Sequence, residues 1–408
     1  MNWLGIAIFL ATYVLISARR LSWLGLDRPA GALLGAVACV AFAVLTPSEA
    51  VAAVNGPTLL LLFGMMGMGA FLALDGFFED VEGALVRVAK TPTRLLGAIV
   101  WGAGILSALI TNDAVCVLGA PLVVRLIRRH ELPALPYLLA LCTAANIGSV
   151  ATLVGNPQNM LCAVLGDLSY AEHLRLIVPL AALCLGVNHG FLWLFFHELL
   201  EGKSLRAPAE PAPMLRPRTT VTLGIIAGTA VAYLLGADLA WAAAAGFVAL
   251  MLLHRRDTRQ LWVRIDWSLL LFFAGLFVVV EGFMQSGGPD WLFAHFPLAE
   301  AGTDGLAGSA QLSGIFLVGS NLVSNVPFIL VVHDQMATLT DPTKGWELLA
   351  VVSTFAGNLT LLGSVANIIV AECARDIGGI GFVDYLKVGV PLTLVTTGLA
   401  VVWFVLFF

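Results

Sequence analysis

The chain has 408 residues, of which 59% are hydrophobic and only 12% are charged. Ordinary globular proteins carry roughly a quarter charged residues, and a mean hydropathy of +0.94 cannot be buried inside a water-soluble fold of this size. The net charge of −5 is small, and the sequence has no clustered basic face of the kind that binds nucleic acid. The six cysteines lie singly in apolar stretches, which indicates small buried hydrophobes rather than disulfides or a zinc site.

Apolar runs long enough to cross a bilayer as helices recur along the whole chain. Basic residues follow the first run rather than precede it, so we interpret it as a membrane helix and not as a cleaved signal peptide. The sequence predicts an all-α polytopic membrane protein with helices at 2–17, 29–46, 57–75, 135–165, 176–197, 220–236, 239–253, 266–283, 346–371 and 386–408.

The basic residues predict the orientation of these helices, because lysine and arginine are enriched in cytoplasmic loops. They cluster at 19–28, 87–94, 125–129, 203–218, 255–264 and 375–387. Assigning these clusters to the cytoplasm accounts for all basic residues but Arg175 and Lys344. The sequence therefore predicts an integral membrane protein, in the inner (plasma) membrane of a bacterium, with both termini outside.

Two further apolar stretches have both ends on one predicted side. Segment 94–129 is flanked by cytoplasmic basic residues and has Thr111, Asn112 and Asp113 in its middle. Segment 305–333 is flanked by acidic residues, and its middle reads Ser324, Asn325. Segment 94–129 is too short for two full crossings, and segment 305–333 is its mirror image. We therefore predict two re-entrant hairpins, one entering from each side of the membrane.

The two halves of the chain repeat the same motifs in the same order. The pattern T-L-x-G-x-x-x-N occurs at 152–159 and again at 360–367, an offset of 208. Asn112 corresponds in position to Asn325. The Asp-Gly-Phe motif at 75–77 corresponds to Glu-Gly-Phe at 281–283, and both are predicted to end a helix. Since the opening helices of the halves run in opposite directions, we predict inverted-topology repeats, each of five transmembrane helices plus one hairpin. The predicted repeats are 1–200 and 220–408, joined by a cytoplasmic linker at 201–219.

Inverted repeats place a transport site near the membrane midplane, built from broken helices and hairpin tips. Glycine, proline and asparagine in the two T-L-x-G-x-x-x-N runs predict such breaks, within 135–165 and 346–371. Freed amides attract anions and freed carbonyls coordinate cations. The predicted substrate and ion site consists of Thr111, Asn112, Asp113, Asn146, Thr152, Gly155, Asn156, Asn159, Ser324, Asn325, Thr360, Gly363, Ser364 and Asn367, with sodium at Asn112, Asp113, Gly155, Asn325 and Gly363.

Asp113 is the carboxylate that the sequence places deep in the membrane, where an ionised group is expensive and marks function. The structural alternative is that Asp113 only caps the second hairpin helix. No arginine or lysine falls in the predicted midplane. An anionic cargo would therefore be held by helix dipoles, amides and a co-bound cation.

At these motifs the chain resembles the ion transporter superfamily, which contains divalent anion/sodium symporters, citrate-type carriers, arsenite efflux permeases and certain sodium/proton antiporters. The runs TNDAVCVLGAPLVV, NIGSVATLVGNPQNML, SNVPFILVV and GNLTLLGSVANIIV carry the resemblance. It implies that hairpin tips and helix breaks bind substrate and coupling ions, and that a transport domain moves elevator-fashion, often in a homodimer. The divalent anion/sodium symporters of this superfamily carry a Ser-Asn-Thr turn in each hairpin. The first turn of this chain has the carboxylate of Asp113 in place of the threonine, which favours proton or cation coupling.

These features favour a secondary transporter over an enzyme. The sequence has no Walker motif, which ATP-driven pumping would need. It also has no group of residues that would form a nucleophilic or metal-dependent catalytic site. The leading hypothesis is sodium- or proton-coupled transport of a small anion or oxyanion, without a cofactor. Sodium/proton antiport and arsenite or antimonite efflux are the alternatives. The expected partners are a small anion, the lipid bilayer and a second copy of the chain, but no nucleic acid.

Overall fold

Every regular element in the described part of the chain is a helix in the computed structural model. The structure describes residues 2–17, 26–201, 205, 216–298 and 302–408. Most of the predicted linker therefore lies outside the described residues. The helices of the first half are α1 (Trp3–Ser17), α2 (Arg28–Ala41), α3 (Pro47–Ala52), α4 (Gly56–Leu74), α5 (Phe77–Ala89), α6 (Pro92–Leu109), α7 (Asn112–His130), α8 (Ala134–Ser149), α9 (Pro157–Leu165) and α10 (Tyr170–Leu200).

The second half repeats this order of long, short and interrupted helices. It contains α11 (Pro217–Leu234), α12 (Leu239–His254), α13 (Arg259–Trp262), α14 (Trp267–Met284), α15 (Gly288–His295), α16 (Gly305–Val323), α17 (Asn325–Met336), α18 (Pro342–Ala356), α19 (Val365–Cys373) and α20 (Phe382–Phe407), with a 3₁₀ turn at Arg375–Ile377. In each half a helix pair precedes a broken helix, and one long helix closes the half.

The prediction of an all-α membrane protein is confirmed. Among the described residues, six helices are long and apolar enough to cross a membrane, and four shorter apolar helices accompany them. Large apolar side chains such as Trp241 and Leu252 are exposed along these helices, as expected for a chain in contact with lipid. The chain is an integral membrane protein.

The arms of the predicted hairpins are longer than the sequence suggested. The helix α6 has 18 residues and α16 has 19, and each qualifies by length and composition as a membrane span. The returning arms α7 and α17 are not among the described helices that qualify, so these lengths do not establish two crossings. The turns do lie at the predicted polar residues, because α7 begins at Asn112 and α17 begins at Asn325. The re-entrant path itself stays a prediction that rests on loop charge.

The helices pack as two groups. The frame group comprises α1–α4 and α11–α14, in which α2 packs on α1 and α14, and α12 packs on α4 and α11. The hairpin group comprises α6–α10 and α16–α20, in which α8 packs on α6, α7 and α10, and α18 packs on α9, α16 and α20. Contacts between the groups are fewer and run mainly through α4 with α9, α14 with α17, and α10 with α11. The helix α5 packs on both α4 and α6 and so connects the groups.

A buried ion pair joins the two halves inside the frame group. The carboxylate of Asp75, at the end of α4, is fully buried and lies 2.9 Å from Nη2 of Arg256. It also accepts a hydrogen bond of 2.6 Å from Thr222 Oγ1. Its repeat partner Glu281 accepts a hydrogen bond from Gln285 Nε2, at 2.8 Å, and forms no ion pair with a described residue. The two motifs correspond in sequence position, but of the two carboxylates only that of Asp75 pairs with a described arginine.

We expect Asp75→Ala to lower the free energy of unfolding by about 3 kcal/mol, because it leaves the mostly buried guanidinium of Arg256 without its counter-charge. Thermal unfolding of the purified protein in detergent measures this loss. Asp384→Ala is the matched control, since its 2.7 Å contact with Lys387 is largely exposed and should contribute less than about 1 kcal/mol. Equal shifts in the two variants would contradict the stabilising role of the buried pair.

Candidate functional site

The first helix break lies between α8 and α9, at residues 150–156. Asn156 caps α9 by accepting a hydrogen bond of 2.8 Å from the Asn159 backbone N–H, and Pro157 occupies the first helical position, where no donor is needed. A Cβ atom at position 155 would lie 2.2 Å from the carbonyl oxygen of Ser149, so only glycine fits. These three residue types therefore produce the interruption that the sequence predicts.

The second break, between α18 and α19, shares the glycine and the asparagine of the first, but Ser364 makes no capping hydrogen bond and Val365 stands in place of the proline. A Cβ atom at Gly363 would lie 2.9 Å from the carbonyl oxygen of Gly357. The Asn367 side-chain amide donates to the carbonyls of Gly357 and Thr360, at 2.8 and 3.2 Å. It also contacts the hydroxyl of Tyr385 at 2.8 Å. The carbonyls left free by the break are thus satisfied from within the hairpin group.

Several hydrogen bonds of the two breaks correspond at the offset of 208 residues. Asn159 Nδ2 donates to the carbonyls of Ser149 and Thr152, at 3.4 and 3.0 Å, as Asn367 does to residues 357 and 360. Thr354 Oγ1 donates to Asn159 Oδ1 at 3.0 Å, and Asn146, which is 208 residues before Thr354, donates to Asn367 Oδ1 at 3.0 Å. Each half therefore supplies a donor to the break of the other half.

Asn146 lies at the centre of this network. Its Oδ1 accepts from Asn112 Nδ2 at 3.0 Å and from Ser364 Oγ at 3.1 Å. Its Nδ2 donates to Asn358 Oδ1 at 2.8 Å in addition to Asn367. One buried amide therefore connects the first hairpin tip to the break in the opposite half.

The hairpin tips differ in how they are held. The Asn112 backbone N–H donates to the carbonyl of Gly155 at 2.9 Å, and Thr111 caps α7 through the Ala114 N–H at 3.4 Å. At the second tip Ser324 has φ +68°, which is strained for a residue with a side chain. The Asn325 side chain makes no hydrogen bond with another described residue. The first tip is thus fixed to its helix break through its own backbone, whereas the second hairpin reaches its break through Asn321 Nδ2, which donates to the carbonyl of Ala356 at 3.3 Å.

A small polar cavity of about 70 Å³ lies where both tips meet the helix breaks. The hairpin group lines it with Asn112, Asp113, Gln158, Ser324, Asn325 and Ser364, together with the backbone around Gly363. The frame group supplies the opposite wall, which consists of Arg28 and the apolar side chains of Leu269, Phe272 and Phe273. The cavity therefore lies between the two helix groups.

A larger and mainly apolar cavity of about 340 Å³ adjoins the polar one. Asp113, Pro157, Leu269 and Val365 line both cavities, so the two meet at the carboxylate of Asp113. The far end is lined by Val263, Arg264 and Asp266, before α14. The larger cavity therefore leads from Asp113 towards a loop rich in basic residues.

Two acceptors at the first tip have no partner among the described residues. Asn112 Oδ1 is buried and accepts no hydrogen bond, and the half-buried carboxylate of Asp113 forms neither a hydrogen bond nor an ion pair. A buried acceptor without a donor is expensive, and a water molecule or an ion that completes its contacts is one physical reason for such a group in a native protein. These oxygens are therefore available to a cation, a proton or a hydroxyl-bearing cargo.

Comparison with known proteins gives the family. Residues 13–356 match the model of the CitMHS citrate transporter family. The chain belongs to this family. Across 93% of its length it is 32% identical to the silicon efflux transporter LSI3 of Oryza sativa subsp. japonica, of which it covers 92%. It is 28% identical to the Escherichia coli inner membrane protein YbiR, over 82% of this chain and 84% of that protein. This member of the citrate transporter family is a transporter, not an enzyme, and the resemblance inferred from the motifs is confirmed.

A solved structure shares the fold. The Alcanivorax borkumensis YdaH transporter aligns with a TM-score of 0.57 over 99% of this chain and 96% of that one, at 17% identity. At that identity the likeness concerns the fold alone. Family and fold thus agree on a polytopic helical transporter.

The structure divides the predicted site residues of this citrate transporter family member into two layers. Asn112, Asp113, Ser324, Asn325, Gly363 and Ser364 line the polar cavity, and Thr111 lines the larger one. The others lie behind the cavity walls and hold the breaks in shape, namely Asn146, Thr152, Gly155, Asn156, Asn159, Thr360 and Asn367. Of the predicted sodium ligands, Gly155 belongs to this second layer, because its carbonyl accepts the Asn112 N–H.

Arg28 corrects one expectation from the sequence. A basic residue was not expected beside the site, yet Arg28 lines the polar cavity. The sequence places Arg28 in a loop, but it is the first residue of α2, and its side chain is long enough to extend from the helix end into the cavity. Thr354 was also missed, although its position 208 residues after Asn146 could have indicated it.

Proposed function

We propose that this transporter carries out ion-coupled secondary transport of a small oxyanion. The observation that carries the proposal is the polar cavity in which two hairpin tips and two helix breaks converge, with unpartnered oxygens on one side and an arginine on the other. Amide, hydroxyl and guanidinium donors suit the oxygens of such a cargo.

Cavity size favours a small cargo. A volume of about 70 Å³ corresponds to roughly two water molecules in the liquid, which suits a cargo with one central atom and a few oxygens. A tricarboxylate such as citrate has more atoms than this volume holds and would have to extend into the apolar cavity. The relative named as a silicon efflux transporter supports the same size class.

Coupling to sodium or a proton is proposed at the first hairpin tip. Asp113 carries a charge that no described residue compensates, and Asn112 Oδ1 lies one residue away without a donor. An uncompensated carboxylate within a membrane is costly, so occupancy by a cation or a proton stabilises the loaded site. Sodium/proton antiport at Asp113 is the second candidate, because the same two oxygens require no organic cargo.

Alternating access is proposed to proceed by movement of the hairpin group against the frame group. The division of the helices into two groups supports this elevator motion, since every polar side chain of the cavity except Arg28 belongs to the hairpin group. The repeated helix order and the hydrogen bonds at the offset of 208 support inverted repeats at 1–200 and 220–408. The larger cavity would then be the path to one side.

Transport by the purified protein in liposomes tests this function. Imposed sodium or proton gradients are combined with arsenite, silicate, selenite and citrate as candidate cargos. Gradient-dependent accumulation of a small oxyanion, with no accumulation of citrate, is the expected result. Citrate accumulation would overturn the size argument. Sodium-driven proton movement without any of these cargos would favour the antiporter alternative.

Single cysteines test the proposed orientation. We expect a cysteine at Arg129, in the last turn of α7, to react with a membrane-impermeant maleimide only from the cytoplasm, and one at Asp290, in α15, only from outside. The reason is the enrichment of basic residues near Arg129 and of acidic residues beyond Asp290. Labelling in intact cells and in inverted vesicles measures both. Reaction of both positions from the same side would rule out the inverted arrangement.

A further inference from the structure

We propose that Arg28 binds the ionised form of the cargo, and that it does so on only one side of the transport cycle. This inference rests on the proposed function and deepens it, because it specifies the charge state of the cargo and the side on which that charge matters. The side chain lines the polar cavity and is half-buried. It forms no hydrogen bond or ion pair with a described residue.

The neighbouring acid does not neutralise Arg28. Asp27 directs its carboxylate to the Ala30 backbone N–H, at 3.0 Å, where it caps α2. The remaining acid of the cavity, Asp113, stands in the opposite wall and is not within ion-pair distance of the guanidinium. Arg28 therefore offers an uncommitted planar donor set, which suits two oxygens of one anion.

Arg28 belongs to the frame group, whereas the other polar side chains of the cavity belong to the hairpin group. The helix α2 packs on α1 and α14, and the rest of its wall is apolar, formed by Leu269, Phe272 and Phe273. If the hairpin group carries the cargo across, the amides and hydroxyls travel with it and Arg28 stays behind. The guanidinium therefore contacts the cargo only in the conformation seen here.

That conformation opens towards the cytoplasm in the proposed orientation. The larger cavity leads to Val263 and Arg264, in the loop whose basic residues predict a cytoplasmic position. A ligand shifts a conformational equilibrium only through its different affinity for the two states. An anion bound to Arg28 therefore stabilises the inward-facing loaded state and is captured more tightly from the cytoplasm than from outside.

The required cargo is an oxyanion with at least one negative charge. A neutral hydroxide would occupy the same cavity but would gain little from a guanidinium, because the stronger bonds of arginine are those to ionised oxygens. Asp113 opposes an anion unless a cation or proton neutralises it. Binding of an anion at Arg28 and binding of a cation at Asp113 therefore favour each other, because the two opposite charges then lie on facing walls of the same small cavity.

Sided transport kinetics test the proposal with Arg28→Gln and Arg28→Lys. Half-saturation is measured in right-side-out and inside-out vesicles, using the small oxyanion that the wild type transports. We expect Arg28→Gln to raise the cytoplasmic KM by at least about tenfold, the order of a lost charge-assisted hydrogen bond, and to leave the external KM nearly unchanged. Arg28→Lys keeps the positive charge but lacks the planar guanidinium, so its cytoplasmic KM should lie between those of the wild type and Arg28→Gln.

Arg129→Gln is the control, because Arg129 is an exposed arginine on the same proposed side and away from both cavities. It should leave both KM values unchanged. An equal rise of KM on both sides in Arg28→Gln, or no rise on either, would overturn the inference while the proposed function stands. If the wild type transports no oxyanion, the proposed function fails and this inference fails with it.

Discussion

Asp113→Asn is expected to abolish gradient-driven accumulation of cargo and to flatten the pH dependence of transport, while downhill exchange continues. The substitution keeps the shape of the side chain and removes its charge. Since Asp113 has no hydrogen bond or ion pair with a described residue, neutralisation breaks no contact inside the protein. Only its coupling to a cation or proton is lost, so the driving gradient no longer acts on the cargo.

The variant should fold and reach the membrane. The structure assigns the cap of α7 to Thr111, not to Asp113, which excludes the interpretation of Asp113 as a mere helix cap. Its charge in the first turn of α7 contributes at most about 1 kcal/mol through the helix dipole. Thermal unfolding in detergent and surface expression check this expectation.

Asp238→Asn provides the matched control. Asp238 is an exposed acid that caps α12 through the Trp241 N–H at 2.8 Å, and asparagine caps helices equally well. We expect accumulation at the wild-type level in this variant. Wild-type accumulation by Asp113→Asn across the pH range would instead move the coupling site to another residue.

Asn146→Ala is expected to abolish transport and to destabilise the protein by about 3 kcal/mol or more. Removing the amide leaves four partners unsatisfied at once, namely Asn112, Asn358, Ser364 and Asn367. Each buried polar group that loses its partner costs about 1–3 kcal/mol, although neighbouring groups partly rearrange. Because Asn112 is among them, the first hairpin tip should also lose its position beside the cavity.

Asn188→Ala separates this effect from the loss of any buried amide. Asn188 is fully buried in α10 and accepts one hydrogen bond of 3.1 Å from Thr143 Oγ1, while its own Nδ2 has no partner among the described residues. We expect a smaller loss of stability and retained transport. Thermal unfolding and liposome uptake compare the two variants. Equal losses in both would mean that Asn146 acts as an ordinary packing residue.

Much of the helical framework could be predicted from local sequence. Apolar runs fixed the positions of the long helices to within a few residues, and the turns at Asn112 and Asn325 followed from polar residues inside such runs. Gly155 and Gly363 predicted the breaks for a reason that the geometry supports, since a side chain at either position would approach a carbonyl oxygen too closely. The short helices α3, α5, α13 and α15 gave no such signal, because they are brief and lie between the apolar runs.

The layers of the site could not be predicted in the same way. Asn146 and Asn112 have the same side chain and similar apolar surroundings in sequence, yet one lies behind the cavity and the other lines it. The difference depends on contacts with residues more than 200 positions away in the chain, such as Asn358 and Ser364. Asp75 likewise became an ion-pair partner only because α12 brings Arg256 to the end of α4.

The sequence by itself determined that the chain lies in a membrane, roughly where its long helices lie, and that its halves share motifs at a nearly constant offset. The membrane location and the long helices follow from local composition, since each backbone polar group in lipid must form its hydrogen bond within its own helix. Only the tertiary structure decided which of the repeated polar residues face the cavity, and that Arg28 joins them. A side chain at a helix end can extend into solvent or into a cavity, and the packing of α2 against α14 decides between the two.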